Sequence, residues 1–322
     1  MNSINHYREE FLAHLRTSVA VKEPRNLYEP IDYILQLGGK RLRPVLTLIA
    51  TDLFGGDYRK ALPAAAAVEV FHNFSLVHDD IMDNASLRRG KATVHQKWNS
   101  NIAILSGDAM LICAYRLLES YPPDTFAALA KLFSKTALEV CEGQQWDMDF
   151  ETQAQVSIPQ YLQMIRYKTA VLVGAALQMG AIIAGASIEN QRLIYDFGVT
   201  IGLAFQLQDD YLDTFGDEAF GKKIGGDILE NKKTILYLKA LDLADEAQRN
   251  TLIAQYTTSE ENDAKIAIVT QLFRQTGAAE AVRDEITRTT DEALNLLEHI
   301  TISDENRAYL KQFALELMNR KV

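Results

Sequence analysis

Two stretches of the chain, "HDDIMD" at 78–83 and "QDDYLD" at 208–213, each place three aspartates within five positions directly after an apolar run. If these segments are helical, Asp79 and Asp83 share a face bordered by Asp80, and Asp209, Asp213 and Asp210 repeat the arrangement. Positions i and i+4 differ by only about 40° of rotation and about 6 Å of rise. Like charges at that spacing repel, and carboxylates beside an apolar interior cost several kcal/mol each unless compensated. A hard divalent cation relieves both costs. Mg2+ in particular is held by one or two carboxylates while it keeps waters and substrate phosphates.

One such cluster would read as a solvated acidic helix end. Two matched clusters, 130 positions apart and interleaved with basic residues, read as a site. "GGKRLRP" supplies Lys40, Arg41 and Arg43 beyond a Gly-Gly turn, and "LRRGK" supplies Arg88, Arg89 and Lys91. Lys168 with Thr169 follows, then Lys222, Lys223, Lys232 and Lys233. Arginine binds phosphate through a fork of hydrogen bonds and lysine as a point charge, and the N–H groups of a helix start also favour anions. The combination implies two diphosphates, one bridged through metal, at the mouth of an apolar cavity into which a tail points. His72 lies seven positions before Asp79 on the same helical face and reads as a substrate contact. His78 reads as a residue that orients its helix, and His95 as structural.

The elements that must carry these residues are helical. "EPIDYILQLGGKRLRPVLTLIATDLFG" reads as a helix, a break at Gly38-Gly39 and a second helix with Pro44 near its start. Periodicity predicts further helices at about 61–83, 100–120, 124–150, 158–185, 189–213, 233–242, 246–256, 263–275, 277–297 and 303–319. No segment alternates like a strand over useful length. Turn signals are sparse, at "SYPPD", "GDEAFGKKIGGD" and "TTSEEND", and no linker-like stretch marks a boundary. The expectation is one all-α domain over 1–322, a helical bundle around a deep apolar cavity.

Composition sets outer limits. With 322 residues, 48% hydrophobic and 24% charged, the chain can bury a sizeable core, and few Gly or Pro interrupt its helices. A net charge of −10 argues against nucleic acid or an anionic membrane as partner, but leaves room for an anionic substrate at a local basic cluster. Cys113 and Cys141 lie in apolar helical contexts and read as reduced thiols of a cytoplasmic protein. The start of the chain is charged and amphipathic, unlike a signal peptide. "AVLVGAALQMGAIIAGAS" at 170–187 carries no charge over 18 residues, yet it is rich in Ala and Gly and carries Gln178. It reads as a central helix enclosed by others more than as a membrane span.

The ordered set "GGKRLRP", "HNFSLVHDDIMDNASLRRG", "GD" at 107–108, "EGQQWD" at 142–147, "KTA" at 168–170, "FQLQDDYLD" and "GGDILENKKT" resembles the trans-type isoprenyl diphosphate synthases, or polyprenyl synthetases. The resemblance implies the all-α isoprenoid synthase fold and a prenyltransferase that condenses isopentenyl diphosphate with an allylic diphosphate. It implies a cluster of Mg2+ ions, about three with the allylic diphosphate bound, with Asp79, Asp83 and Asp209 as direct ligands. Asp80, Asp210 and Asp213 would orient waters and neighbouring basic groups. Arg88, Lys168 and either Lys222 or Lys223 look like allylic-diphosphate contacts, and Lys40, Arg43, His72 and Arg89 look like the isopentenyl-diphosphate site. Gln206 and Thr169 would position the reacting ends, with Phe205 beside them as a substrate contact. Gln144 and Asp147 would complete the hydrogen bonding on the metal side, and Lys232 would close over the bound diphosphate. The released diphosphate would take the proton lost at the end, so no dedicated protein base is needed. Relatives of this kind are similar to homodimers, with apolar faces around 100–150 as the candidate interface. Ala92 stands where many relatives have Pro.

Product length should follow how far the cavity runs below Asp79. In the resembling family the floor is formed four and five positions earlier, here Ser75 and Phe74. Ser75 is small and shares the Asp79 face. Phe74 resembles the aromatic floor of short-chain enzymes, although an ideal helical wheel turns it away from the aspartates. The expectation is a geranylgeranyl or farnesyl diphosphate product, with longer chains as the alternative. A class I terpene cyclase usually carries a different second metal motif, and a non-catalytic partner subunit tends to lose aspartates, whereas all six stand here.

Overall fold

The computed structural model describes residues 1–216, 224–258 and 263–318. Among them the fold is all-α. The helices in chain order are α1 (Ile4–Ser18), α2 (Arg25–Gln36), α3 (Leu42–Leu53), α4 (Leu62–Met82), α5 (Val94–Lys97), α6 (Ser100–Leu118), α7 (Pro123–Thr152) and α8 (Ile158–Ile165). They continue with α9 (Val171–Ile183), α10 (Ile188–Phe215), α11 (Gly226–Leu229), α12 (Ile235–Leu243), α13 (Glu246–Thr257), α14 (Asp263–Gln275), α15 (Ala278–Glu298) and α16 (Asp304–Met318). Bounds read from periodicity agree to within a few residues, with one exception. The helix expected over 158–185 is broken into α8 and α9 by a π-helical turn, Arg166–Ala170. The only strands among the described residues are the two-residue β1 (Leu87–Arg88) and β2 (Lys91–Ala92), paired antiparallel.

Backbone contacts group the chain into two units, Met1–Thr136 with Leu172–Tyr195, and Ala137–Val171 with Asp196–Val322. All three boundaries fall inside helices, in α7, at the start of α9 and in α10, so no linker composition announces them.

In the first unit α4 is the central element. Pro63 sits in its first turn, where a missing N–H costs nothing, and Ala64 to Ala67 are fully buried. Small side chains let α4 approach its neighbours closely, and it packs most extensively against α6. Asn99 starts α6 by accepting from the Ile102 N–H at 2.9 Å. The uncharged stretch at 170–187 forms the 13-residue α9, shorter than the roughly 20 residues needed to span a bilayer. Ala175, Ala176, Leu177, Met179 and Ala181 of α9 are fully buried, and at Gly180 its backbone lies against α3, where Thr51 Oγ1 donates to the Gly180 carbonyl at 3.2 Å. Among the described residues α6 is the one helix long and apolar enough to cross a membrane by length and composition.

The second unit is built on a core of Phe150, Tyr161, Met164, Ile165, Leu207, Leu236, Leu252, Phe273 and Val282. Reciprocal capping boxes start α8 (Ser157 with Gln160) and α13 (Asp245 with Gln248), and fix where the chain turns into each helix.

Candidate active site

The first unit brings most of its expected site residues onto α4 and two turns beside it. Asp79, Asp80 and Asp83 close the C-terminal end of α4, with Asp83 as its exposed C-cap. The β1–β2 hairpin turns at Arg89 (φ 53°) and Gly90 (φ 73°), two successive left-handed positions of the kind that a type I′ turn requires. That turn carries Arg88 back to the aspartates. Its Nε donates to Asp80 Oδ1 at 2.8 Å and its Nη2 lies 3.4 Å from Asp79 Oδ2. Asp80 is fully buried; burial raises its pKa and the Arg88 charge opposes that. Arg88 is thus held by Asp80 through both its Nε and its Nη2.

The basic group meets α4 at His72, seven residues before Asp79. Arg43 Nη1 is 3.3 Å from His72 Nε2. Burial first, then the charges of Arg43, Arg89, Arg88 and Arg41, hold the His72 pKa well below its usual value. His72 is thus neutral and its Nε2 accepts from Arg43. Lys40 is exposed on the turn before α3, and Arg89 Nη1 donates to the Leu37 carbonyl at 2.9 Å and to that of Gly38. Arg41 departs from the reading that grouped it with Lys40 and Arg43. It points inward, is 6% exposed and pairs with buried Glu69. A charge in the sequence does not show which way its side chain faces.

Phe74 is buried, with its ring 5.5 Å from Phe71 and 4.8 Å, edge-on, from His78. Ser75 is half-buried, and its hydroxyl donates to the His72 carbonyl at 2.8 Å. The two floor candidates thus lie on different sides of α4, Ser75 on the Asp79 side. His78 points at α6, where its Nε2 meets the Ile104 carbonyl at 3.2 Å and Gly107 leaves room for the ring.

The second unit gathers Asp147, Lys168, Thr169, Gln206, Asp209, Asp210, Asp213 and Lys232 around one cavity of about 260 Å³. Gln144 and Phe205 are half-buried and are not among its lining residues, and Lys222 and Lys223 lie outside the described residues. Lys168 and Thr169 sit on the π turn, and Lys168 Nζ donates to Asp147 Oδ2 at 2.5 Å. Thr169 Oγ1 donates to Gln206 Oε1 at 3.2 Å, and Gln206 Nε2 donates to Asp210 Oδ1 at 3.0 Å. The two bonds fix both ends of the Gln206 amide.

Asp210 is buried and its pKa is pushed up to about 8, first by burial and then by the charge of Asp227, against the hydrogen bonds from Tyr161 and Gln206. Asp213 accepts from the Asp227 N–H at 3.0 Å and so caps the start of α11. Burial works against the Lys232 ammonium, but the hydrogen bond and charge of Glu230, 2.8 Å away, together with the charges of Asp227 and Asp147, hold its pKa above the usual lysine value.

Among the lining residues that were not singled out for the site from the sequence, Tyr161, Asp227 and Lys233 shape it through hydrogen bonds or charge. Tyr161 donates its hydroxyl to Asp210, and its own pKa is raised by burial and by that carboxylate, so it stays a donor. Its signal was the seven-residue spacing to Lys168, two helical turns. Asp227 lies in the short α11, and its effect on Asp210 arises only in the fold. Lys233, read only as one more cation, donates to the carbonyls of Phe150 (2.8 Å), Glu151 (3.2 Å) and Gln153. It fastens the segment of Lys232 to the end of α7.

Carboxylate oxygens dominate both acidic groups, the donor chemistry that hard Mg2+ selects. Asp80 Oδ2 is buried without a hydrogen-bond partner, an acceptor that a cation or its water would satisfy. The residues present therefore fit a magnesium site, although no three His, Cys, Asp or Glu side chains among the described residues converge as a closed cage.

Residues 24–273 match the polyprenyl synthetase family. A relative described as a short chain isoprenyl diphosphate synthase, from Methanothermobacter thermautotrophicus, is 36% identical over 98% of both chains. A solved structure described as a geranylgeranyl pyrophosphate synthase is 54% identical, covers all of both chains and superposes with a TM-score of 0.96. Another, a geranylgeranyl pyrophosphate synthase from Corynebacterium glutamicum complexed with isoprenyl diphosphate and magnesium, is 30% identical over 98% of both chains with a TM-score of 0.85. Agreement in sequence along almost the whole length and in fold leaves one conclusion, that this chain belongs to the polyprenyl synthetase family.

Proposed function

We propose that the protein is a short-chain trans-prenyltransferase that condenses isopentenyl diphosphate with an allylic diphosphate, with geranylgeranyl diphosphate as its product. The observation that carries the reading is the second unit's cavity, where Lys168, Lys232, Gln206 and Thr169 stand among the carboxylates of Asp147, Asp209 and Asp210. Acids and cations mixed in one pocket suit a diphosphate held partly by ammonium groups and partly through metal. The product length follows the names of the relatives.

Asp79 and Asp83 in the first unit and Asp209 in the second are the residues that would hold Mg2+. When bound, the metal supplies positive charge to the leaving diphosphate. Lys168, held by Asp147, and Lys232 supply fixed positive charge for the oxygen left when the allylic C–O bond breaks, an effect that strengthens as that bond ionises. Arg88, oriented by Asp80, is an allylic-diphosphate contact. Gln206, with its amide fixed between Thr169 and Asp210, presents a set dipole toward the cationic carbon chain. Lys40, Arg43, neutral His72 and Arg89 bind isopentenyl diphosphate. Its double bond attacks the allylic cation, and the proton then lost passes to the released diphosphate. Ile165 lines the cavity with a hydrocarbon group that offers no nucleophile to that cation.

We also propose a homodimer through α6, whose Ile104, Leu105 and Ile112 are exposed. Light scattering of the purified protein tests it, and a monomeric mass would reject it. Function is tested by supplying Mg2+, labelled isopentenyl diphosphate and dimethylallyl, geranyl or farnesyl diphosphate, then separating the dephosphorylated products. A twenty-carbon alcohol is expected. A cyclic hydrocarbon, or no incorporation from any starter, would overturn the reading.

A further inference from the structure

The interior of the first unit contains an ion pair that the reaction as described does not use. Arg41 takes the left-handed conformation (φ 52°) just after the Gly38-Gly39 turn and sends its guanidinium inward. Its Nη1 donates to Glu69 Oε1, and its Nη2 donates to the carbonyls of Leu35 at 2.6 Å and Leu37 at 2.8 Å, at the C-terminal end of α2. Both side chains are almost wholly buried, at 3% and 2% exposure. Asn73, also fully buried, donates Nδ2 to the same Glu69 oxygen at 2.9 Å. The Leu37 carbonyl takes a second donor, Arg89, whose guanidinium covers Gly39. Glu69 stands three residues before His72 on α4, so one helix turn fixes Arg41 and receives Arg43.

Four cations, Lys40, Arg41, Arg43 and Arg89, are brought to one short stretch, and mutual repulsion would splay them. Glu69 neutralises the one that is buried and so lowers the repulsion within the group. We infer that the Arg41–Glu69–Asn73 network is a positioning device that pins the Gly38-Gly39 turn to α4 and so sets the geometry of the isopentenyl-diphosphate site. This rests on the functional reading above. Arg41 touches no substrate; it acts through the carbonyls and through Glu69.

Opposite signs separate this role from a purely electrostatic one. Glu69→Gln removes a negative charge beside an anion site. If only charge mattered, the KM for isopentenyl diphosphate would fall. If the network positions the turn, that KM rises, by about tenfold to a hundredfold as for other small misplacements, while the KM for the allylic diphosphate stays within about twofold. Because a buried arginine left without its partner destabilises the fold, the double variant Arg41→Met/Glu69→Leu is measured beside it; replacing a whole buried pair with apolar groups is commonly tolerated. It is expected to melt near the wild type and still show the raised KM for isopentenyl diphosphate alone. Arg41→Lys, which reaches fewer acceptors, is expected to fall between. An unchanged or lowered KM for isopentenyl diphosphate in folded Glu69→Gln or Arg41→Lys, or equal rises for both substrates, would overturn the inference. A wild-type protein that consumes no isopentenyl diphosphate would instead overturn the functional reading.

Discussion

Gly143 on α7 lies directly against the backbone of Lys168. A Cβ placed there would come 2.8 Å from Lys168 Cα and 2.7 Å from the Tyr167 carbonyl carbon. The π turn that carries Lys168 and Thr169 is thus seated on a helix with no side chain at the point of contact. Gly202 serves it from α10, where a Cβ would come 3.0 Å from Ala170 Cα. π turns are rare and concentrate at functional sites, because they re-aim the side chains within them. Gly143→Ala collides with backbone, so no rotamer change relieves it. It is expected to cost about 1–3 kcal/mol in stability, the usual range for overpacking, and to lower turnover about a hundredfold by moving Lys168. Thermal melting beside steady-state rates checks this; full activity would mean that the seat does not set Lys168.

Asp210 predicts a pH dependence in the ligand-free protein. Its pKa stands at about 8 against an ordinary 3.8, so between these values the folded form holds a proton that the unfolded form has lost. The stabilisation this gives is complete at low pH and declines as pH rises toward about 8, by at most about 1.4 kcal/mol per pH unit. Above that, Asp210 is ionised in both states and the slope vanishes. Asp210→Asn removes the titration, so its melting temperature should gain on the wild type from about pH 4 to 8 and run parallel beyond. Parallel curves throughout would show that Asp210 is ionised in the folded protein.

The sequence was a good guide to the helices and a poor one to orientation. Apolar periodicity marked α4, α7, α10 and α12–α16 to within a few residues, because burial of one face is what holds such helices. Their aspartates could be placed on common faces for the same reason. The π turn was not legible, since it depends on the approach of Gly143, 25 positions earlier. Nor was the inward turn of Arg41, because an arginine in a basic motif looks the same whether it meets substrate or Glu69. Asp213 shows the third kind of loss. It repeats the i+4 pattern of Asp83, yet it caps α11, a helix four residues long with little periodicity to read.

Product length offers a test of the two floor candidates, which occupy different sides of α4. Phe74 packs on Phe71 and His78, so Phe74→Ala opens space and is expected to lengthen the product beyond twenty carbons while costing about 3–5 kcal/mol. Ser75 shares the face of Asp79, so Ser75→Phe should shorten the product without comparable destabilisation. Chromatography of the alcohols from both variants decides. If only Ser75→Phe shifts the distribution, the chain grows along the Asp79 face and Phe74 is packing alone.

Loss of Asp79 should separate metal binding from folding. The Asp79 side chain is 18% exposed and shares Arg88 with Asp80, so Arg88 keeps its shorter 2.7 Å partner when Asp79 is removed. Asp79→Ala is therefore expected to leave the melting temperature almost unchanged. Turnover should fall at least about a thousandfold, since several kcal/mol of charge stabilisation at the leaving diphosphate go with the metal. A binding measurement isolates the cause. In the wild type, Mg2+ together with inorganic diphosphate should raise the melting temperature by mass action, and in Asp79→Ala that increment should vanish while diphosphate alone acts equally on both. An increment retained in the variant would move the ligand role to Asp83 and Asp209 and leave Asp79 as a partner of Arg88.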